Sequence, residues 1–179
     1  SFGLTTQTQL GEAVTFNNKK IIIKNIIGSY NPEASKRILL FAHWDTRPFA
    51  DQDTKNMTQP ILGANDGGSG VGILLEVARQ LALNQPEIGV DIIFFDAEDY
   101  GQPAGISNNN YSFETWCLGS QYWAKNLHTK NYKPTFGVNL DMVGAKDATF
   151  LKEGYSMRFA GKYMNKVWSL ASKMGYKSY

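Results

Sequence analysis

Two rhythms of apolar residues run along the chain. Runs of four to eight apolar or alternating residues mark strands, and one longer stretch with helical spacing marks a helix. Residues 5–16 alternate weakly and read as an edge strand. After a turn at Asn17–Asn18, residues 20–27 ("KIIIKNII") form a strand paired back on it. A loop over 28–35 leads to a short buried strand, "RILLFA", at 37–42, and the polar stretch 47–60 reads as a long loop. From 71 to 83 the residues Val71, Leu74, Leu75, Ala78 and Leu81 keep helical spacing, with Ser69 as the expected N-cap. Residues 90–95 carry the run Ile92-Ile93-Phe94-Phe95, which suits a strand buried on both faces. A loop over 100–116 and a helix over 119–127 follow. A strand at 135–142, a short strand at 148–151 and a helix at 164–174 complete the pattern. Strands alternating with helices predict an α/β domain: a central mixed, mostly parallel twisted sheet flanked by helices, with an antiparallel hairpin at one edge. There is no internal repeat and no sign of a second domain.

The polar residues that interrupt this pattern fall at strand ends. "LLFAHWD" puts His43 and Asp45 just past one strand, and "ILGAND" puts Asp66 ahead of a helix. "FFDAED" supplies Asp96, Glu98 and Asp99 past a second strand, and "VNLD" places Asp141 at the end of a third. Ligands of open α/β sheets bind at the carboxyl ends of strands, so these groups can meet in one crevice. Several carboxylates brought together need a counter-charge, and a divalent cation is the compact one. Imidazole with carboxylate and no thiolate suits zinc, and also manganese, iron or cobalt. In an extended chain His43 and Asp45 share a face, so Asp45 can orient the imidazole. Glu98 and Asp99 point in opposite directions, one toward the ion and the other toward substrate as a proton shuttle.

Each residue also has a plainer reading. His43 alone suits a hydrogen-bonded core histidine, Asp66 a partner for the amides of Gly67 and Gly68, and Asp141 a turn residue. Glu98 and Asp99 alone suit loop acids. The plainer readings must hold together at four strand ends, which favours the metal site. His128, in the polar stretch "NLHTKNY", lacks such company and reads as a surface residue. "GGSGVG" precedes a helix but matches neither common phosphate-binding pattern and has no lysine. Its glycines are read as allowing close backbone approach around Asp66.

Composition narrows the class further. The 179 residues suit one domain, residues 1–179, or a large part of a bigger one, and the net charge of +2 from 18 basic and 16 acidic residues leaves no nucleic-acid footprint. No apolar stretch is long enough for a membrane span. Cys117 is the one cysteine, which excludes an intrachain disulfide and a cysteine-type zinc site. The chain starts at Ser1 with neither initiator Met nor signal peptide, so it reads as a processed or excised product.

"AHWDTRP", "ILGANDGGSGVGILLEVARQL", "DIIFFDAEDYG", "WCLGSQYWA" and "NLDMVG", in that order, resemble the M28 family of zinc-dependent exopeptidases. More narrowly they are similar to its glutaminyl-peptide cyclotransferase branch, and the resemblance covers nearly the whole chain. It implies a zinc exopeptidase-like fold, a phosphorylase/hydrolase-like sandwich, here incomplete at both ends. It implies that Asp66 matches the aspartate that bridges two zincs in the aminopeptidases and binds the single zinc in the cyclases. Glu98 matches the catalytic glutamate, and Asp99 the next metal ligand, where the family usually has Glu. His43 and Asp141 match the second aminopeptidase zinc site, and Asp45 the acid that orients the histidine. The family's last zinc ligand is a histidine beyond the helix that ends near Met174, and neither histidine here matches it. The chain therefore reads as the central portion of a longer domain, inactive unless the remainder is supplied.

Three functions stay open on this reading. A cyclase would take a peptide with a free N-terminal glutamine, use one zinc, and close the residue to pyroglutamate with loss of ammonia. An aminopeptidase would use two zincs and an external water. A non-catalytic peptide-binding relic is the third. Trp116 and Trp44 are candidate apolar walls for the substrate, with a core role as the alternative for each. The resemblance alone suggests a periplasmic or secreted location; no feature fixes the oligomeric state.

Overall fold

The computed structural model describes residues 2–103 and 113–176. They divide into two compact units, residues 1–142 and 143–179. The first unit holds β1 (Thr5–Val14), β2 (Lys20–Tyr30), β3 (Arg37–His43), α1 (Gly68–Asn84), β4 (Gly89–Phe95), α2 (Leu118–Lys125) and β5 (Gly137–Asn139). The second holds one helix, α3 (Gly154–Lys173).

The five strands form one sheet in the order β1-β2-β4-β3-β5. β1 and β2 make the expected antiparallel hairpin at one edge, and β2 pairs antiparallel with β4. β3 runs parallel to both β4 and β5, with Leu40 opposite Ile92 on one side and Val138 on the other. This register matters for chemistry. His43 sits level with Phe95, and Phe41 with Asn139, so the chain leaves three parallel strands at one end of the sheet.

β4 is buried along nearly its whole length, as its unbroken apolar run requires. On one face Leu74, Ala78 and Leu81 of α1 pack with Ala42, Val90 and Ile92. On the other, Ile27, Leu39, Ile93 and Phe95 pack with Phe41 and Trp123. A third cluster joins Ile23, Ala97 and Leu118. Burying an aliphatic side chain of this size contributes about 1.5–3 kcal/mol relative to leaving it exposed.

Several expectations change. β2 continues through Gly28 to Tyr30 because Gly28, Ser29 and Tyr30 pair with Ile92, Asp91 and Val90 of β4, a contact the local sequence does not announce. The strand expected at 135–142 shrinks to three residues, and Met142 turns the chain at a φ of 49°. No strand forms at 148–151. Ser69 lies inside α1 and its hydroxyl donates back to the Asn65 carbonyl; the cap is Gly67, at a φ of 81°. α3 begins ten residues before the expected 164, because Glu153 caps it by accepting from the amides of Tyr155 and Ser156 at 2.7 Å each. The middle of the loop expected at 100–116 lies outside the described residues. Among the described residues no helix is long and apolar enough to cross a membrane.

His128 is not a surface residue. It is half-buried, accepts a hydrogen bond at Nδ1 from Trp123 Nε1 at 2.9 Å, and stacks on that indole. Tyr132 packs against both rings, its centroid 4.5 Å from that of His128 and 5.7 Å from that of Trp123. Burial lowers its pKa below the ordinary imidazole value.

Candidate metal centre and proton-transfer site

Parallel pairing delivers the acids to one place. His43 closes β3, Glu98 and Asp99 follow β4 by three and four residues, and Asp141 follows β5 by two. Asp66 comes from the turn into α1, and its neighbour Gly67 explains how it gets there. The backbone at Gly67 has a φ of 81°, and a Cβ there would sit 2.7 Å from the Asp45 carbonyl oxygen and 3.1 Å from His43 Cε1. Only glycine admits this approach. Gly70 does the same one helical turn later, where a Cβ would collide with the Leu140 carbonyl oxygen ahead of Asp141.

His43 is almost wholly buried, and its Nε2 lies 3.0 Å from Asp66 Oδ1 and 3.5 Å from Asp141 Oδ1. Neither approach has hydrogen-bond geometry, and both ring nitrogens are buried without a hydrogen-bond partner. Asp99 is 7% exposed, and its Oδ2 is orphaned in the same way. Buried polar atoms are nearly always satisfied, so three orphans in one crevice fit a bound cation. Two sets of donor atoms each lie within 4.8 Å of one another: His43, Asp66 and Asp141, and His43, Glu98 and Asp99. One nitrogen with carboxylate oxygens fits a first-row divalent cation, zinc among them.

The electrostatics agree. Burial, then the charges of Glu98 and Asp66, push the Asp99 carboxyl up to about 7. Burial works against a charged His43, yet the carboxylates of Asp141, Asp45 and Glu98 outweigh it and push the imidazole up to about 11. Without a metal the cluster therefore holds a proton on His43 as its positive charge. An imidazole that ligates a cation must be neutral, so a cation held by His43 would displace that proton.

Asp45 does more than face the histidine. Its Oδ1 lies 3.5 Å from His43 Nδ1, while its two oxygens accept from the amides of Glu98 and Asp99 at 2.9 and 3.1 Å. It thus fixes the turn that presents both acids. Asp96 has a separate role, in which Oδ2 accepts from the Lys24 amide at 2.8 Å and Oδ1 from the Ala97 amide. Of the three acids past β4, one ties the sheet and two serve the crevice.

Three residues given no part in the site from the sequence alone support this turn. Asn25, fully buried in β2, accepts from the Asp96 amide at 3.0 Å and donates to the Gly119 carbonyl at 2.9 Å. Arg47 donates from Nη1 to the Asp99 carbonyl at 2.8 Å. Cys117 donates its amide to the Glu98 carbonyl at 2.9 Å and its thiol to Glu98 Oε1 at 3.3 Å. An Asn inside "KIIIKNII" was the available signal, since a polar residue in a buried run needs partners. Trp116 packs against the Arg47 guanidinium, 4.6 Å from its ring centroid. Trp44 is 39% exposed and donates its indole N–H to the Lys24 carbonyl at 3.0 Å.

Burial, reinforced by Glu98, pushes the Cys117 thiol up to about 12, so it stays protonated at neutral pH. Because the thiolate is the nucleophile, alkylation of the metal-free protein by iodoacetamide at pH 8 is expected to run at least about a hundredfold slower than that of an ordinary free cysteine. Rapid labelling followed by mass spectrometry would show that the thiol does not sit against Glu98.

A model of the family described as Peptidase family M28 matches residues 25–178. Among solved structures, a Zn-dependent exopeptidase from Parabacteroides distasonis is similar with a TM-score of 0.95 and 50% identity, covering 99% of this chain and 61% of that one. Bacteroides thetaiotaomicron glutaminyl cyclase bound to N-acetylhistamine gives a TM-score of 0.94 and 54% identity, covering 98% of this chain and 60% of that one. Aminopeptidase YwaD of Bacillus subtilis is 31% identical over 163 residues, 87% of this chain and 30% of its own length. The chain thus spans about 60% of the length of these solved relatives.

Proposed function

Because the chain belongs to peptidase family M28, we propose that it carries the metal and proton-transfer centre of a zinc-dependent glutaminyl-peptide cyclotransferase. The observation that carries this reading is the placing of Glu98 beside the orphaned donors of His43 and Asp99. Similarity to bacterial glutaminyl cyclases favours cyclisation over hydrolysis.

Asp66 and Asp99 would hold the zinc of a cyclase, with His43 and Asp141 beside it. The ion would supply a Lewis acid for the side-chain carbonyl of the substrate's N-terminal glutamine. The chain's own residues do the rest. Asp45 holds the Glu98 amide while the Cys117 thiol holds its carboxylate, leaving one oxygen to face the reacting amine. The substrate's α-amine attacks its own γ-carbonyl carbon, and Glu98 takes a proton from that nitrogen. The bond from that carbon to the side-chain nitrogen then breaks, Glu98 returns the proton to the leaving nitrogen, and ammonia departs. The products are pyroglutamyl peptide and ammonia, so Glu98 ends the cycle as it began. By the same family resemblance, the protein would act in the periplasm or outside the cell.

The set His43, Asp66 and Asp141 favours a second reading, an aminopeptidase in which His43 and Asp141 would hold a second ion and water would be the nucleophile. Incubation of the complete protein, with the remainder of the domain supplied, with a Gln-initiated peptide separates the two. The cyclase releases ammonia and leaves the peptide's length unchanged, with zinc near one per chain by elemental analysis. Loss of the first residue, with zinc near two, establishes the aminopeptidase instead. Neither product, with no zinc retained, would favour the non-catalytic relic.

A further inference from the structure

Arg47 is 9% exposed and plays no role in the proton transfer just described. Its Nε and Nη2 fork onto the Asp51 carboxylate at 2.6 and 2.8 Å. Nη1 turns the other way, to the carbonyls of Asp99 at 2.8 Å and Gly101 at 3.4 Å. The guanidinium also lies against two aromatic rings, Phe49 at 4.7 Å and Trp116 at 4.6 Å from their centroids. Gly101 closes the assembly, because a Cβ there would overlap the Trp116 ring.

The pairing with Asp51 decides what this cation can do. Arg47 is buried and Asp51 mostly so, with side chains 11% and 10% exposed, and the fork is bidentate. Its charge is matched there, and it reaches Asp99 through the main-chain carbonyl. Arg47 therefore acts by shape more than by neutralising the acids. Lysine offers no planar fork that can also stack on rings.

We propose that Arg47 is a positioning residue that sets the main chain of Asp99 and the ring of Trp116 in one rigid frame, so that a metal ligand and a wall of the substrate pocket are placed together. The proposal rests on the reading that Asp99 binds the ion and Trp116 faces the peptide. It makes Arg47 a determinant of both metal retention and substrate fit, though it touches neither.

The test compares zinc-loaded full-chain wild type with Arg47→Lys and Phe49→Leu. Three quantities are read: KM and kcat for a Gln-initiated peptide, the chelator concentration that removes half the zinc, and folding by circular dichroism. Arg47→Lys keeps the charge and loses the fork. It is expected to raise KM by about tenfold, a scale that small misplacements reach, with a smaller fall in kcat and zinc lost to less chelator. Phe49→Leu removes one ring of the stack and is expected to shift KM and zinc retention the same way by a smaller factor. A folded Arg47→Lys with wild-type KM and zinc retention overturns the proposal. If that variant does not fold, an unchanged Phe49→Leu overturns it, and a shifted one supports it. A complete protein, with the remainder of the domain supplied, that neither retains zinc nor converts peptide overturns the functional reading, and the proposal with it. A wild type that does both, beside an unaltered Arg47→Lys, removes only the role of Arg47.

Discussion

Glu98→Gln is expected to lower kcat for a Gln-initiated peptide by about 10²–10⁴-fold, the range that a positioned general acid–base contributes, while zinc content stays at the wild-type level. The substitution is nearly isosteric. The amide of residue 98 keeps its bond to Asp45, and the new side-chain carbonyl can still accept from the Cys117 thiol. What disappears is the capacity to take a proton from the attacking amine and hand it to the departing nitrogen. Ammonia release measures the loss, and elemental analysis the zinc. A variant with near-normal turnover would remove Glu98 from that role and leave the metal centre standing.

Asp91→Ala is expected to act on stability instead, lowering the unfolding free energy in urea by about 3–5 kcal/mol, as breaking a buried ion pair does. Asp91 is 1% exposed and serves three partners. It takes the Arg37 fork at 2.6 and 2.9 Å, the Ser29 hydroxyl at 2.7 Å and the Tyr132 hydroxyl at 2.8 Å. Removing the carboxylate leaves a mostly buried guanidinium without its counter-charge. Burial alone would raise the pKa of Asp91, but the hydrogen bonds from Arg37, Ser29 and Tyr132 hold it below 3.8. A depressed carboxyl stabilises the fold above its unfolded value, and that contribution fades as pH falls from about 4 through the folded value. The variant should therefore lose less stability on acidification than wild type. An unchanged urea midpoint would show that Arg37 finds another partner. Asp91 lies at the start of β4 and the metal cluster past its end, so turnover per folded molecule should not change.

Much of this molecule can be read from its apolar rhythm. The run Ile92-Ile93-Phe94-Phe95 identifies the most enclosed strand because β4 has neighbours on both sides and packing on both faces. The acids that follow three parallel strands do gather, because parallel pairing leaves the chain at a common end of the sheet. Non-local features are harder to see. Gly28 and Ser29 look like loop residues until β4 is set beside them. His128 sits in a polar string, and only the fold brings Trp123 and Tyr132 against it. The Arg47–Asp51 pair has helical spacing but lies outside any helix, so no periodicity exposes it. Glu153 caps α3 although the preferred N-cap residues are Ser, Thr, Asp and Asn, so its sequence gives no sign of that boundary.

The in-step pairing of β3 with β4 also limits how this chain can change. Successive strand side chains face opposite sides, so one residue added between Arg37 and Ala42 would turn His43 away from Asp66 and drive an apolar neighbour toward the acids. An addition in the polar connection 52–58 displaces no ladder partner. Tolerance to lengthening should therefore drop sharply within a few residues of the imidazole, and the seven positions of β3 act as a ruler whose length the chemistry sets.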